Sequence, residues 1–367
     1  MAEMPRFLRA STEIALVSPE DVMKRLCAHF AEHGSAQVEG RCARIDTGFG
    51  VTDLEACERC LKVFAEGKDD TSLAYVKLAI AEHILRLAAA EHPRIIWRGD
   101  GAAGSALPYF REMRVARVAD IGPHMRRLTL SGDDLGRFAS GGLHVRLLIP
   151  RDPDAKPVWP VTGEDGRPSW PSDDARPDVR IYTIRRIDVE RGEVDIDFVM
   201  HGGSDMPGAC FADRARPGDC VGMTGPGGGS IGDADWYLLA GDETALPAIA
   251  RILEELPAGK QATVRVEVAD ARDEQPLLSS ATLDVKWLHR GAAEPGTSRL
   301  LENAVRAIDW PDSQVRIFAW AGCEYRSFRA IRTYLRRERD LSRDEHLVVA
   351  YWRRGSSGDD ARKENGD

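Results

Sequence analysis

Between Arg180 and Arg185 the chain reads RIYTIR. Successive side chains of an extended strand point to opposite faces, so Arg180 and Tyr182 share one side while Thr183 and Arg185 share the other. One strand can therefore set a cation, an aromatic face and a hydroxyl around a flat, phosphorylated ligand such as a flavin. A guanidinium clamps pyrophosphate, a tyrosine ring stacks on an isoalloxazine, and a hydroxyl hydrogen-bonds near its N5. An ordinary surface strand with two arginines accounts for the same hexapeptide, so its neighbours must decide. Further on, Gly241 to Ile249 reads GDETALPAI directly after an apolar run. A ligand-binding turn and a helix start capped by Asp242 and Thr244 explain that stretch equally well. TVRVEVAD ends on Asp270, suited to a ribose hydroxyl, with Arg272, suited to a 2′-phosphate, just beyond. The two argue in opposite directions.

Other groups carry less. Cys57 and Cys60 form a lone C-x-x-C at an expected hairpin, without the second pair a zinc site needs or the helix start a thioredoxin-like site needs, so they read as strand and turn thiols. His29, His33 and His83 read as structural histidines on helix faces, and the aspartates after Pro150 do not follow calcium-loop spacing. Arg146, Arg185, Arg186, Arg290 and Arg353 fall on strands or strand ends. Singly each reads as a solvated charge; clustered, they would attract a bulky anion.

The elements that must position these groups change texture along the chain. Residues 1–107 read as a small α+β domain with its linker. Its expected helices run from about Pro19 to His33 and from about Ser72 to Ala90, its strands from Ala43 to Val51 and from Cys60 to Ala65, with Arg98 to Pro108 as linker. Residues 108–233 alternate in short runs broken by Gly, Asp and Pro, as a small antiparallel barrel does. Expected strands are Met113 to Val118, Met125 to Ser131, His144 to Ile149, Val179 to Ile187 and Val194 to His201. In the last, Val194, Ile196, Phe198 and Met200 form a core face opposite a site face of Asp195, Asp197, Val199 and His201. The polar, proline-rich stretch between Pro150 and Val179 is expected to be a flap or excursion. Residues 234–354 alternate apolar strands with helices, which predicts a doubly wound parallel sheet with its ligand crevice beyond the strands' carboxyl ends. Residues 355–367 read as a disordered tail.

Composition bounds the function. The chain has 367 residues, enough for two or three domains, and its 50 basic and 59 acidic residues give a net charge of −9, which disfavours nucleic acid as a partner. No apolar run approaches the roughly 18 to 20 residues of a transmembrane helix, and Glu3 and Glu13 interrupt any signal-like core. Seven scattered cysteines suit reduced thiols, so a cytoplasmic protein is expected.

The order of R-x-Y-T-x-R, DFVMHG, PGDCVGMTGPGG and WYLLAGDETALPAI, closed by YWRRG at Tyr351 to Gly355, resembles the siderophore-interacting protein family. These are FAD-dependent ferric-siderophore reductases related to ferredoxin–NADP reductases, and the resemblance spans about Phe110 to Gly355. It implies a multidomain chain: an N-terminal α+β domain, an antiparallel β-barrel that binds FAD, and a C-terminal doubly wound α/β domain for NADH or NADPH. Carried over, Arg180, Tyr182 and Thr183 would bind FAD, Arg185 would lie beside the pyrophosphate or the substrate mouth, and His201 and Gly202 near the ring. The family's G-P-A-S-x-W-A segment corresponds to Met206 to Ala212, so Pro207, Ala209 and Ala212 would cap the diphosphate through backbone amides, with Ala209 and Phe211 replacing the usual serine and tryptophan. Asp242, Glu243, Thr244 and Ala245 would lie where nicotinamide meets flavin. WAGCE, Trp320 to Glu324, departs from the family's pattern at Cys323, and Glu324 would reach the nicotinamide pocket. Arg146, Arg186, Arg290 and Arg353 would face a ferric siderophore, and no side chain would act as nucleophile or metal ligand. The N-terminal domain resembles a small domain sometimes fused to such reductases, and a protein partner is its expected role.

Overall fold

The computed structural model describes residues 7–32, 34–200, 206–229 and 231–355. Two compact units divide the chain, residues 1–110 with 158–176 and residues 111–157 with 177–367. In the first, β1 (Leu8–Ala15), β2 (Ser35–Glu39), β3 (Cys42–Asp46), β4 (Gly50–Ala56), β5 (Cys60–Gly67) and β6 (Arg98–Gly99) form one sheet in the order β2-β3-β4-β5-β1-β6. Helices α1 (Pro19–Ala31) and α2 (Asp70–Leu87) supply Leu26, Ile80 and Ile84 to a core shared with Ile14, Ile45, Leu61 and Val63. The alternation of Leu61, Val63 and Ala65 is the core face of β5, as expected.

Strands β1 and β2 escaped the sequence for a plain reason. The inward residues of β1 are Ala10, Thr12 and Ile14, too small or too polar to leave a hydrophobic stripe, and β2 is an edge strand with no buried residue. The single strand expected from Ala43 to Val51 is a hairpin, β3 and β4, turned at Gly48, whose φ is 77°. Cys57 and Cys60 flank the two-residue turn between β4 and β5, with Cys57 N–H donating to Cys60 O at 2.8 Å. The His29 and His83 rings pack together, tilted, at 4.3 Å, while His33 lies outside the described residues.

The second unit begins with β7 (Phe110–Gly122), β8 (Met125–Ser131) and β9 (His144–Ile149). The chain then leaves for the first unit, where β10 (Val161–Thr162) and β11 (Pro168–Ser169) form a small hairpin. The stretch is thus an excursion, as the alternative of a flap or excursion allowed, while part of the expected linker, Arg98–Gly99, is strand β6. Trp97 N–H donates to Glu164 O at 3.0 Å, Trp97 Nε1 to Asp165 O at 2.9 Å, and Gly104 N–H to Thr162 O at 2.8 Å. Backbone groups that a free loop would leave to water are satisfied between the two segments.

Returning, β12 (Asp178–Asp188), β13 (Glu193–Val199) and, after helix α3 (Pro207–Arg214), β14 (Cys220–Gly227) close a barrel in the order β12-β13-β8-β7-β14-β9. Val194, Ile196 and Phe198 are fully buried, as the alternation requires. On the opposite face of β13 the two aspartates are already engaged. Asp195 and Asp197 are buried there, Asp197 paired with Arg127 at 2.6 and 2.8 Å, and Asp195 with Arg186 at 3.0 Å and the Thr129 hydroxyl at 2.7 Å. A buried carboxylate persists only with partners, and the neighbouring strands carry them.

Five parallel strands complete the unit: β15 (Trp236–Asp242), β16 (Gln261–Val268), β17 (Thr282–His289), β18 (Ile317–Glu324) and β19 (His346–Trp352), in the order β17-β16-β15-β18-β19. Helices α4 (Leu246–Glu255), α5 (Leu300–Arg306) and α6 (Tyr325–Thr333) connect them. The order reverses at β15, which places the crevice between β15 and β18. Among the described residues no helix is long and apolar enough to cross a membrane.

Phe138, fully buried in the barrel core, tests that packing. Phe138→Ala is expected to lower the stability of this unit by about 3–5 kcal/mol; a denaturation midpoint equal to wild type would show that the barrel core does not close there.

Candidate functional site

Cross-strand neighbours share a face. Arg180 pairs with Leu147 and Tyr182 with Val145, so both lie on the barrel's core face, and Thr183, which pairs with His144, lies on the other. The Tyr182 ring packs on Phe198 at 4.3 Å and remains half-buried, while its enclosed hydroxyl is pushed above the ordinary range by burial. Arg180 donates Nη1 to Val179 O at 2.7 Å, and its Nε is buried without an acceptor. Arg185 turns to the other face and gives both Nη groups to Glu254 of α4, at 3.0 and 2.7 Å; its Nε is also unpaired. It is a clasp between barrel and parallel sheet, its charge engaged by Glu254.

Helix α3 begins beside this strand with Pro207 at its first position and no side-chain cap. The N–H groups of Gly208 and Ala209 are therefore left outside the helical ladder. A Cβ at Gly208 would lie 1.9 Å from the Tyr182 hydroxyl, so only glycine lets the helix start approach the ring. Ala209 and Ala212 are buried, and Phe211 packs into the barrel core 6.3 Å from Phe198. Phe211 thus plugs the barrel and is not available to stack on a ligand. A buried orphan guanidinium N–H, an aromatic face and a run of uncapped amides form a set suited to a flavin diphosphate. His201 and Gly202 lie outside the described residues.

The carboxyl ends of the parallel strands form the second half. Asp242, Glu243, Glu267, Cys323, Glu324 and Trp352 line one narrow crevice. Asp242 accepts from Thr244 N–H at 3.0 Å, from the Thr244 hydroxyl, from Glu324 N–H at 3.1 Å and from Trp352 Nε1 at 2.9 Å. Burial, with Glu243 adjacent, pushes its carboxyl up to about 6 against those hydrogen bonds. Glu267 is raised by burial while accepting from the Ser298 hydroxyl at 2.8 Å, and burial raises the Cys323 thiol. Glu324 caps α6 through Arg326 N–H. Ala245 is buried at the start of α4, and Gly241 faces Gly322 across the two central strands, where a Cβ on Gly241 would lie 2.7 Å from Gly322 O.

Of the arginines expected to face a substrate, Arg290 is not exposed: it is buried in a two-armed pair with Glu243 at 3.0 and 2.5 Å, its charge cancelled there. Arg186 is held by Asp195 on the barrel wall. Arg146 is exposed on β9, and Arg353 lies over the Tyr325 ring at 4.7 Å. Asp270 and Arg272 pair with each other at 3.0 and 2.7 Å, so neither stands as a lone charge. Sequence reasoning missed three contacts of the seam between barrel and sheet. His144 Nε2 meets the Tyr351 hydroxyl at 2.5 Å, His124 Nδ1 meets Asp273 at 2.9 Å, and Arg251 donates to Ile184 O at 3.2 Å. Each joins residues far apart in the chain, and no local pattern marks such a pair.

Comparison with known proteins follows the same division. Over 255 residues, 68% of this chain and 91% of its relative, the protein is 32% identical to the ferric vibriobactin reductase ViuB of Vibrio cholerae. The chain belongs to the siderophore-interacting protein family. Residues 234–355 match the model for siderophore-interacting proteins, residues 114–230 that for the siderophore-interacting FAD-binding domain, and residues 11–98 a domain described as an uncharacterized protein conserved in bacteria (DUF2218). A siderophore utilization protein from T. fusca is 40% identical with a TM-score of 0.61, covering 69% of this chain and 95% of that one. The siderophore-interacting protein SipS from Aeromonas hydrophila is 29% identical with a TM-score of 0.58, covering 68% and 93%. This family member therefore carries the FAD-binding barrel and the α/β domain that its motifs implied.

The raised carboxyl of Asp242 has a pH signature. The folded protein keeps this proton where the unfolded chain, titrating near about 4, has lost it. Its contribution to stability is complete below about pH 4 and is lost as pH rises through about 6. Asp242→Asn is expected to flatten that slope while costing about 1–3 kcal/mol in mismatched hydrogen bonds; midpoints measured from pH 4 to 7.5 with parallel slopes for both proteins would refute the assignment.

Proposed function

We propose that this protein is an FAD-dependent NAD(P)H:ferric-siderophore oxidoreductase that releases ferrous iron from imported siderophores in the cytoplasm. The observation that carries the reading is the buried, unpaired Nε of Arg180 on the strand face it shares with Tyr182, together with the uncapped start of α3 against the Tyr182 hydroxyl. The reductase named among its relatives supports the same chemistry. When bound, FAD supplies two-electron uptake from a reduced nicotinamide and one-electron delivery to ferric iron.

The chain's own residues do the rest. Arg180 and the amides of Gly208 and Ala209 would hold the diphosphate, and Tyr182, backed by Phe198, would set the plane of the ring. Thr183 lies on the seam face of the same strand, toward the sheet whose α4 is clasped by Arg185 and Arg251. Asp242 ties the ends of β15, β18 and β19 together and so shapes the crevice that would take the nicotinamide, lined by Glu243 and Glu324, with Thr244 and Ala245 following in sequence at the start of α4. Arg146 and Arg353 each lie two residues from the His144–Tyr351 contact, and would draw an anionic ferric chelate to that seam. Ferrous iron binds hard oxygen donors more weakly than ferric iron, so reduction loosens the chelate without breaking its covalent bonds.

Purified protein is expected to show an oxidised-flavin absorption spectrum that bleaches anaerobically on adding NADH or NADPH. Arg180→Ala and Tyr182→Ala are each expected to weaken FAD retention at least about tenfold, the loss of roughly 1.4 kcal/mol, with circular dichroism unchanged. Full retention in both would mean that the flavin is misplaced. Pyridine-nucleotide oxidation is expected to quicken with ferric chelates; a response to free flavin, flavodoxin or ferredoxin alone would assign the protein to electron transfer instead.

A further inference from the structure

Cys57 and Cys60 belong to the first unit and take no part in the proposed reductase chemistry. Strands β4 and β5 pair in antiparallel register as far as Ala56 with Leu61. The next step of the ladder brings Cys57 opposite Cys60, and the N–H of Cys57 donates to Cys60 O at 2.8 Å across Glu58 and Arg59. Residues that face each other across antiparallel strands have Cα atoms about 4.5–5.5 Å apart, within the roughly 4.4–6.8 Å that a disulfide spans.

Both side chains leave the sheet on the same side. Along β5, Leu61 and Val63 are buried in the core, so Cys60 and Lys62 point away from it. Along β4, Leu54 and Ala56 are buried, so Glu55 points away and Cys57 follows it. The neighbours of the two thiols agree with that placement. Burial, with Cys57 and Glu13 beside it, pushes the Cys60 thiol up to about 11, and Glu13 pairs with Lys62 across β1 and β5. Lys62 is raised in turn by Cys57 and by Glu55, which it reaches at 3.5 Å.

The turn is fastened through its backbone while the thiols stay half-buried. Cys57 O accepts from Arg41 Nη2 at 2.8 Å, and Arg59 O accepts from Leu16 N–H at 3.0 Å. Other thiols of the unit are placed differently. Cys27 is buried in the core, and Cys42 faces Glu55, which sets it diagonally from Cys57. Diagonal neighbours lie about 7–8 Å apart, too far for a bridge without backbone movement. Among the described residues no three His, Cys, Asp or Glu side chains gather to hold a metal ion, so the pair stands as a dithiol.

We propose that Cys57 and Cys60 form a reversible redox modification site that closes to a disulfide by exchange with a low-molecular-weight disulfide. The thiolate is the attacking form, and Cys60 is held protonated, so the first attack falls to Cys57. Its sulfur bonds to one sulfur of the small disulfide, breaking that bond and releasing one small thiolate. The sulfur of Cys60, losing its proton to solvent, then attacks Cys57 Sγ and expels the second small thiolate. Two electrons pass from the protein to the small disulfide, and the two protons lost by the cysteines leave with the two small thiols. Disulfides that open and close in this way are the kind found in reducing compartments.

The test equilibrates reduced full-length protein with oxidised glutathione, quenches with acid and an alkylating agent, and digests with trypsin without reduction. Cleavage after Arg44, Arg59 and Lys62 separates the two cysteines, so the bridge appears in the mass spectrum as Ile45–Arg59 joined to Cys60–Lys62. Wild type is expected to give this linked pair as its main oxidised product, reversed by dithiothreitol, with circular dichroism unchanged. It is expected to close at least about tenfold more readily than the urea-unfolded chain, because the ladder holds the thiols opposite each other. Cys60→Ser is expected to retain glutathione on Cys57, and Cys42→Ser to close as wild type does. The proposal would be overturned by absence of the linked pair, by a bridge to Cys42, by lasting glutathione on both cysteines, or by equal closure in the unfolded chain.

Discussion

One strand belongs to two structures. Alternation along β12 turns Arg180 and Tyr182 toward the barrel core and Thr183 and Arg185 toward the parallel sheet, and a strand cannot slip by one residue without exchanging these sets. Register with β9, where Tyr182 meets Val145 and Thr183 meets His144, therefore sets the position of every group around the barrel–sheet seam. Arg185 and Arg251 then fasten α4 to the strand, one by its two-armed pair with Glu254 and the other through the Ile184 carbonyl. The domain junction and the proposed cofactor wall are opposite faces of the same few residues.

Charge is buried on both sides of that junction, and its management differs. In the barrel, Asp195 and Asp197 face arginines on neighbouring strands, so the wall is stiffened and offers no open site. In the crevice, burial outweighs the hydrogen bonds to Asp242, and at Glu267 it outweighs the Ser298 hydroxyl, the Leu301 N–H and the charge of Arg290, so both carboxyls rise toward neutrality. Glu243 takes the buried guanidinium of Arg290. Uneven compensation of this kind is common where a protein handles a ligand, because a fully paired crevice has nothing left to offer.

The first unit follows a separate logic. Its sheet packs two helices on one face, and the stretch between β9 and β12, inserted in the barrel's sequence, supplies the hairpin that satisfies the backbone of residues 97–106. Its buried Lys77 is held by the carbonyls of Asp100 and Gly101 at 3.3 and 2.7 Å, with burial lowering its pKa. None of these contacts resembles a redox or metal centre. The match of residues 11–98 to a domain of its own agrees with that independence.

Local periodicity was enough for the elements with strong patterns. The alternation of β5 and β13, the helical stripe of α2 and the strand–helix rhythm after Ala234 all reflect burial on one face, which the sequence must encode residue by residue. R-x-Y-T-x-R and GDETALPAI were legible for a similar reason: a tight approach or a fixed face restricts residue type at each position. The destination of the polar groups was not legible. Arg290 and Arg185 read as exposed cations, and Asp195 and Asp197 as a site wall, yet each is bound by a partner distant in the chain. The insertion looked like a loop until another segment supplied its hydrogen bonds. Side-chain type states what a residue can bond to; which partner it finds depends on folding, because only a folded chain brings distant donors and acceptors within reach.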